Sequence, residues 1–428
     1  MLLQSATLAF KRLSLQSLVM PILRFFKENA RWVVGGFLLT FFSSFGQTFF
    51  ISLSAGEIRA EYDLSHGDFG LIYMIATLGS ALSLPWVGKI VDYFTPAKVT
   101  LMIVPLLALG AIGMTFSSHI ITLVFVIYLL RLFGQGMMTQ NALTAAARWF
   151  TASRGRAVSL VTLGHNAGEA VLPVLFVVTV SWVGWRYSWL LAAIALLVFA
   201  LPIIAVLVSK NREPRADDPI PLVTDGRDWT RPEVIRDPLF WIVLLGMLAP
   251  AFIGTTVFFH QVYLVELREW SMPAFASAFS LMAVSTIIFT LISGALVDRF
   301  SAIRLLPSFL IPLSLSCFVL GGFEAQWSAF AFMSLMGISY GFSSTLMGTI
   351  WPELYGTKHL GSIRAIIVSM MVFCTAAGPG LTGWLIDIGV SYPKQITAMG
   401  VYCVCACIMM VFISKAFQKR KTLELEKS

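Results

Sequence analysis

Apolar residues run along this chain in stretches of roughly 18 to 26, separated by short gaps that carry glycine, proline and charge. A helix rising about 1.5 Å per residue crosses a hydrocarbon core of about 30 Å in such a stretch. Alternating ten-residue strands are absent, so the spanning elements are predicted to be helices. The breaks predict twelve spans, near 32–56, 67–87, 98–117, 120–145, 157–180, 187–208, 239–264, 275–297, 302–321, 326–349, 363–386 and 395–415. One long hydrophilic connection, 209–238, contains NREPRADDP and DGRDWTRPEVIRDP. Its prolines and balanced charges disfavour a packed core, and it divides the spans six and six. The expected fold is an all-α membrane protein of two pseudo-symmetric six-helix bundles. Its parts are a leader at 1–31, a first bundle at 32–208, the connection at 209–238, a second bundle at 239–415 and a tail at 416–428.

Charge orients this pattern. Alternate gaps, beginning with the leader, hold 25 lysines and arginines, whereas the opposite set holds Arg59, Arg186, Arg268 and Lys394. The basic set is expected in the cytoplasm, which places both termini there and requires an even number of spans. The leader has no small-residue cleavage pattern and is expected to stay attached. With 57% apolar and 12% charged residues, the chain lies far from a soluble mixture, where about 25% of residues are charged. Its net charge of +8 is scattered over the gaps and forms no stripe for nucleic acid.

Five cysteines fall inside apolar segments without a CxxC pair, as packing thiols do. The adjacent methionine pairs, such as Met137 and Met138, point in different directions on a helix, so no metal site is expected. No P-loop, HExxH or serine elbow occurs, and no hydrophilic segment is large enough to hold a cofactor. Enzyme chemistry is therefore not expected.

The halves echo one another. GKIVD, Gly88 to Asp92, follows the second span, and GALVDR, Gly294 to Arg299, follows the eighth. The fifth span holds GHNAGEAVLP, with Gly164, Gly168 and Pro173; the eleventh holds GPGLTG, with Gly378, Pro379, Gly380 and Gly383. Repeated halves commonly enclose an alternating-access pathway. In each GxxxD the glycine is expected to let two backbones approach. Asp92 and Asp298 lie at the unfavourable end of their own helices, so each is expected to latch onto a neighbouring helix N-terminus or a basic residue such as Arg299.

These residues resemble the major facilitator superfamily, over about 32–415. Gly88 and Asp92, then Gly294, Asp298 and Arg299, match its first loop motif, although Tyr93 stands where that motif has a basic residue. The stretches 164–189, 257–283 and 293–300 are more similar to its monocarboxylate and oxalate–formate branch. The resemblance implies a secondary transporter in a bacterial inner membrane, moving a small organic anion such as a monocarboxylate with protons or by exchange. Carriers of neutral or cationic solutes, drug efflux and soft metal included, and a nontransporting receptor or assembly factor stand as alternatives. The expected partners are a small-molecule substrate and the lipid bilayer, with the chain working as a monomer and without a cofactor.

Arg131 in the fourth span and Glu169 in the fifth fall near mid-depth, where isolated charges cost at least about 2.5–3.5 kcal/mol. Pairing across the two helices is the cheapest arrangement. Arg131 opens RLFGQG, whose Gly134 and Gly136 are similar to the superfamily's fourth-span motif, implicated there in proton coupling or binding. Glu169 is the candidate proton carrier. His165, one turn before it, is a candidate relay or a packed partner, and His260 is a candidate for an outer gate. Gln47, Asn141, Tyr73 and Tyr340 complete the pathway candidates, each equally able to tie helices together.

Overall fold

Helix ends follow local capping chemistry. The His66–Val87 helix starts at a reciprocal box in which Asp68 N–H donates to Ser65 Oγ at 3.0 Å and Ser65 N–H donates to Asp68 Oδ2 at 3.2 Å. Pro96 and Pro238 each open a helix just inside a capping residue, Thr95 and Asp237. The computed structural model describes residues 15–150, 154–210, 212, 229–356 and 359–425, and among these no strand occurs. The side chains of Asp92 and Asp298 lie outside the described set, so the expected latch contacts do too.

Among the described residues nine helices are long and apolar enough to cross a membrane, or ten if the bent pair Arg24–Gly46 and Thr48–Tyr62 counts as one span. One expected span is corrected, and two boundaries gain detail. The gap expected at 181–186 is met by a break at Gly184, whose φ of +80° suits glycine, within the Arg154–Ile194 segment. The expected span 302–321 is instead a short Ala302–Leu305 turn followed by Ile311–Gly322, only 12 residues long. The first helix begins within the leader, running Leu15–Phe42 with a kink at Asn29.

Both bundles interrupt their first long helix after a similar length. In the first, a 3-10 turn at Ser43–Gly46 is followed by extended Gln47 and the short Thr48–Ile51 helix, and the axis bends by 47°. In the second, Pro238–Phe259 gives way at His260 to Gln261–Leu267. The fourth long helix of the chain carries its own irregularity, a π-helical stretch at Leu130–Met138 between Ile120–Leu129 and Thr139–Trp149.

Close packing depends on the expected glycines, with one exception. A Cβ on Gly164 would lie 2.0 Å from the Phe37 carbonyl oxygen, and one on Gly168 would lie 2.2 Å from Ser44 Oγ, so the segment bearing Glu169 lies directly on the first helix. Pro173 follows within the same helix. Gly378 meets Thr256 Oγ1, and Gly383 meets the His66 backbone, where the Leu360–Asp387 helix crosses His66–Val87. Gly380, beside Pro379, lies in the same crossing against Gly70. Gly88 also makes a close approach, to Gln140. Gly294 does not: no atom lies within 4 Å of its Cβ position, which corrects the expectation that both loop-motif glycines join backbones.

Candidate functional site

Arg131 is 2% exposed, at the beginning of the π-helical stretch. Its Nη1 donates to the Gly46 carbonyl and to Thr48 Oγ1, both at 3.2 Å, and its guanidinium lies 5.4 Å from the Tyr73 ring centroid. Thr48 Oγ1 and the Tyr73 hydroxyl are 2.6 Å apart. The interruption of the first helix supplies these acceptors, because a continuous helix would consume the Gly46 carbonyl. Gly134 permits the approach, since its Cβ would lie 2.6 Å from the Gly46 Cα. Gly136 packs the same helix against Leu84. Arg131 Nε is buried without a partner.

Arg131 and Glu169 are not paired, against the expectation that they neutralise each other. The π stretch turns Arg131 toward the broken first helix, while Gly168 occupies the contact with that helix and leaves adjacent Glu169 on another face. Glu169 is 5% exposed, and among the described residues no cation forms a salt bridge with it. The carbonyl of its neighbour Ala170 accepts a hydrogen bond from Ser280 Oγ of the second bundle at 2.7 Å, so this stretch lies at the interface between bundles. His165 packs its ring edge-on to Phe49 at 6.2 Å instead of forming a hydrogen bond with Glu169. Gln47 occupies the break itself, half-buried and extended.

The second bundle contributes neutral polar groups. The Tyr340 hydroxyl donates to the Pro250 carbonyl at 3.4 Å. The Met272–Phe300 and Trp327–Tyr355 helices cross through a hydroxyl cluster in which Ser293 Oγ lies 2.6 Å from Thr345 Oγ1. Asn141 is taken up elsewhere, donating to Pro96 O and Thr100 Oγ1 at 3.2 and 3.1 Å and tying two helices of the first bundle. Arg299 lies over its neighbour Phe300, 5.2 Å from the ring centroid.

One end of the interface between bundles is closed. Gln261 Nε2 donates to Phe49 O at 2.8 Å and Ser52 Oγ donates to Phe258 O at 2.6 Å, so the two helix breaks meet directly. Asp387 Oδ2 accepts from Ser65 Oγ and from Gly67 N–H, each at 2.8 Å, joining the C-terminal end of one helix to the N-terminal end of another. His260 lies within this closure, its Nε2 3.1 Å from Pro379 O and its ring 5.6 Å from that of Tyr392. Arg59 and Glu266 face each other across the bundles at 3.9 Å.

Asp387, Ser65, Gln261 and Thr48 were not among the expected site residues. A signal for two of them was present: SHGD reads as a helix start, and Asp387 is an acid at a helix C-terminus, the same unfavourable placement that marked Asp92.

The long apolar helices, the breaks in two of them and the cross-bundle closure describe a multi-pass helical membrane protein. The family profile described as Major Facilitator Superfamily matches residues 36–379, and the chain belongs to that family. It is 22% identical to the phosphoglycerate transporter protein of Salmonella typhimurium, over 88% of this chain and 86% of that protein. It is 27% identical to the oxalate:formate antiporter of Oxalobacter formigenes, over 47% of this chain and 48% of that one. A solved bacterial homolog of the human lysosomal transporter Spinster, inward-facing and unoccupied, superposes with a TM-score of 0.68 at 15% identity, covering 91% of this chain and 98% of that one. Membership makes the chain a multi-pass membrane transporter and not an enzyme.

Proposed function

We propose that this transporter moves a small organic anion by alternating access between its two bundles, coupled to protons. The observation that carries the anion reading is Arg131, a buried cation with, among the described residues, no carboxylate in salt-bridge reach and one unpartnered N–H. A buried charge without a counter-ion is costly, and an anionic solute arriving from the central route would neutralise it. The names of the two relatives, a phosphoglycerate transporter and an oxalate:formate antiporter, agree with an organic anion and favour no particular one. Glu169 is the proton site, being a buried carboxylate with no cationic partner among the described residues, on a stretch that meets the second bundle.

The same reading assigns twelve passes. The segment broken at Gly184 supplies two, the bent first helix supplies one, and short Ile311–Gly322 supplies the ninth. With the basic gaps in the cytoplasm, the end closed by Asp387 is external and the arrangement is inward-facing. A monomer in a bacterial inner membrane completes the reading.

The test is uptake by purified protein in sealed vesicles, screened against monocarboxylates, dicarboxylates, phosphorylated acids, amino acids, sugars and cationic drugs, with and without a pH gradient. Accumulation of anions driven by an inward proton gradient is expected. Transport confined to cations would instead favour a second reading, in which unpaired Glu169 is the counter-charge for a cationic solute.

A further inference from the structure

Away from Arg131, a cavity of about 500 Å³ lies between the Pro238–Phe259, Leu360–Asp387 and Tyr392–Leu425 helices. That volume is in the range of small-ligand sites, about 300–1,000 Å³. Its walls are mainly apolar, with Leu248, Phe252, Leu381 and Met399 among them. Leu245, Leu381 and Tyr402 are exposed along its rim, on the side where a bilayer would contact the protein. The Tyr402 hydroxyl donates to Leu245 O at 3.0 Å across one part of that rim.

Polar groups gather where the Tyr392–Leu425 helix begins. Gln395 is 6% exposed and lines the cavity. Its Nε2 donates to Val390 O at 2.9 Å, which sets the amide orientation and leaves Oε1 buried without a donor. A buried acceptor without a donor is costly, so this atom calls for a hydroxyl or N–H from a ligand. Lys394 lines the same end, and among the described residues no carboxylate pairs with it. It stands in a first helical turn that contains no acid, where the helix dipole also favours an anion.

An apolar crevice, an unpaired ammonium and an orphan acceptor together specify an amphiphile with an acyl chain, an anionic group and a hydroxyl. We propose that the crevice binds an anionic, hydroxyl-bearing membrane lipid, for which phosphatidylglycerol is the test ligand. One acyl chain lies among Phe252, Leu381 and Met399, the phosphate lies near Lys394, and a head-group hydroxyl donates to Gln395 Oε1. The bound lipid braces two helices that carry the closed end, one ending beside His260 and the other at Asp387.

Native mass spectrometry of the full-length protein, released from micelles doped with defined lipids, tests this. Phosphatidylglycerol is expected to be retained at least fivefold more than phosphatidylcholine. Lys394→Gln should bring that ratio near one, and Gln395→Leu should remove a preference for phosphatidylglycerol over phosphatidic acid, which lacks the head-group hydroxyl. Ala398→Trp should reduce retention of every lipid by filling the crevice. Soluble glycerol phosphate should not displace the lipid, since it lacks the chain; displacement would make this a free-phosphate site and overturn the proposal. Equal retention of phosphatidylglycerol and phosphatidylcholine by the native protein, or an unchanged preference in Lys394→Gln, would also overturn it. Lys394 is exposed, so its variant tests the idea even if the cavity-filling one fails to fold.

Discussion

The first bundle opens its leading helix at Gly46 and Gln47, and the second opens its own at His260. In the first, the freed Gly46 carbonyl and Thr48 Oγ1 are turned inward to Arg131. In the second, Gln261 reaches outward to Phe49 of the other bundle, and His260 stays with Pro379. Similar backbone breaks therefore serve different ends: one exposes acceptors for a buried charge, and the other closes the interface. The asymmetry extends to the buried polar groups: the first bundle holds Arg131 and Glu169, whereas the second holds Tyr340 and a cluster of hydroxyls. A repeated scaffold sets where the backbone opens, and the side chains beside each opening decide what it does.

The largest effect expected from breaking this contrast is at Arg131. Arg131→Met should lower uptake by about 100-fold or more, because losing one member of a buried charge interaction typically costs about 3–5 kcal/mol. Thermal stability should change little, since only neutral groups contact the guanidinium and no carboxylate is left stranded. Vesicle uptake and a melting curve give both values. Native transport by this variant would end the idea that the first bundle holds the anion.

Glu169 separates charge from proton coupling. Glu169→Gln keeps shape and polarity but cannot release a proton, so uptake driven by a pH gradient should fall about tenfold while counterflow exchange stays within about twofold. Retention of both activities at every pH would leave Glu169 a fixed polar group.

The broad fold was legible because hydrocarbon thickness and backbone satisfaction allow few solutions for runs such as 98–117 and 275–297. The burial of Arg131 and Glu169 was legible for the same reason. Their separation was not, because it depends on the π stretch at Leu130–Met138, and one altered turn redirects a side chain without changing the apolar pattern. The closed end was hidden differently. The dipole argument that singled out Asp92 applies equally to Asp387, but which helix N-terminus lies opposite is a tertiary fact.

Asp387 tests whether the closure depends on that charge. Its two hydrogen bonds are exposed, so Asp387→Asn should weaken the closed end by about 1 kcal/mol, less than the about 1.5–3 kcal/mol of a charge-assisted bond away from solvent. That amounts to roughly a fivefold rise in the open population. Distances between spin labels at Asp63 and Ser391 would report it, and an unchanged distribution would assign the closure to Gln261 and the packed glycines instead.

The last contrast lies between two glycines, one in close contact and one open. Gly164→Ala would place a methyl against the Phe37 carbonyl and should cost about 1–3 kcal/mol of stability, seen as a lower melting temperature. Gly294→Ala meets no neighbour and lies within the Met272–Phe300 helix, where replacing glycine should be neutral or stabilising by up to about 1 kcal/mol. An equal loss in both variants would mean that the end near Gly294 is packed in the dominant state. Unchanged melting with slower transport in Gly294→Ala would locate the close approach in the opposite state of the cycle: space left open here is then needed when the bundles rock shut around that loop.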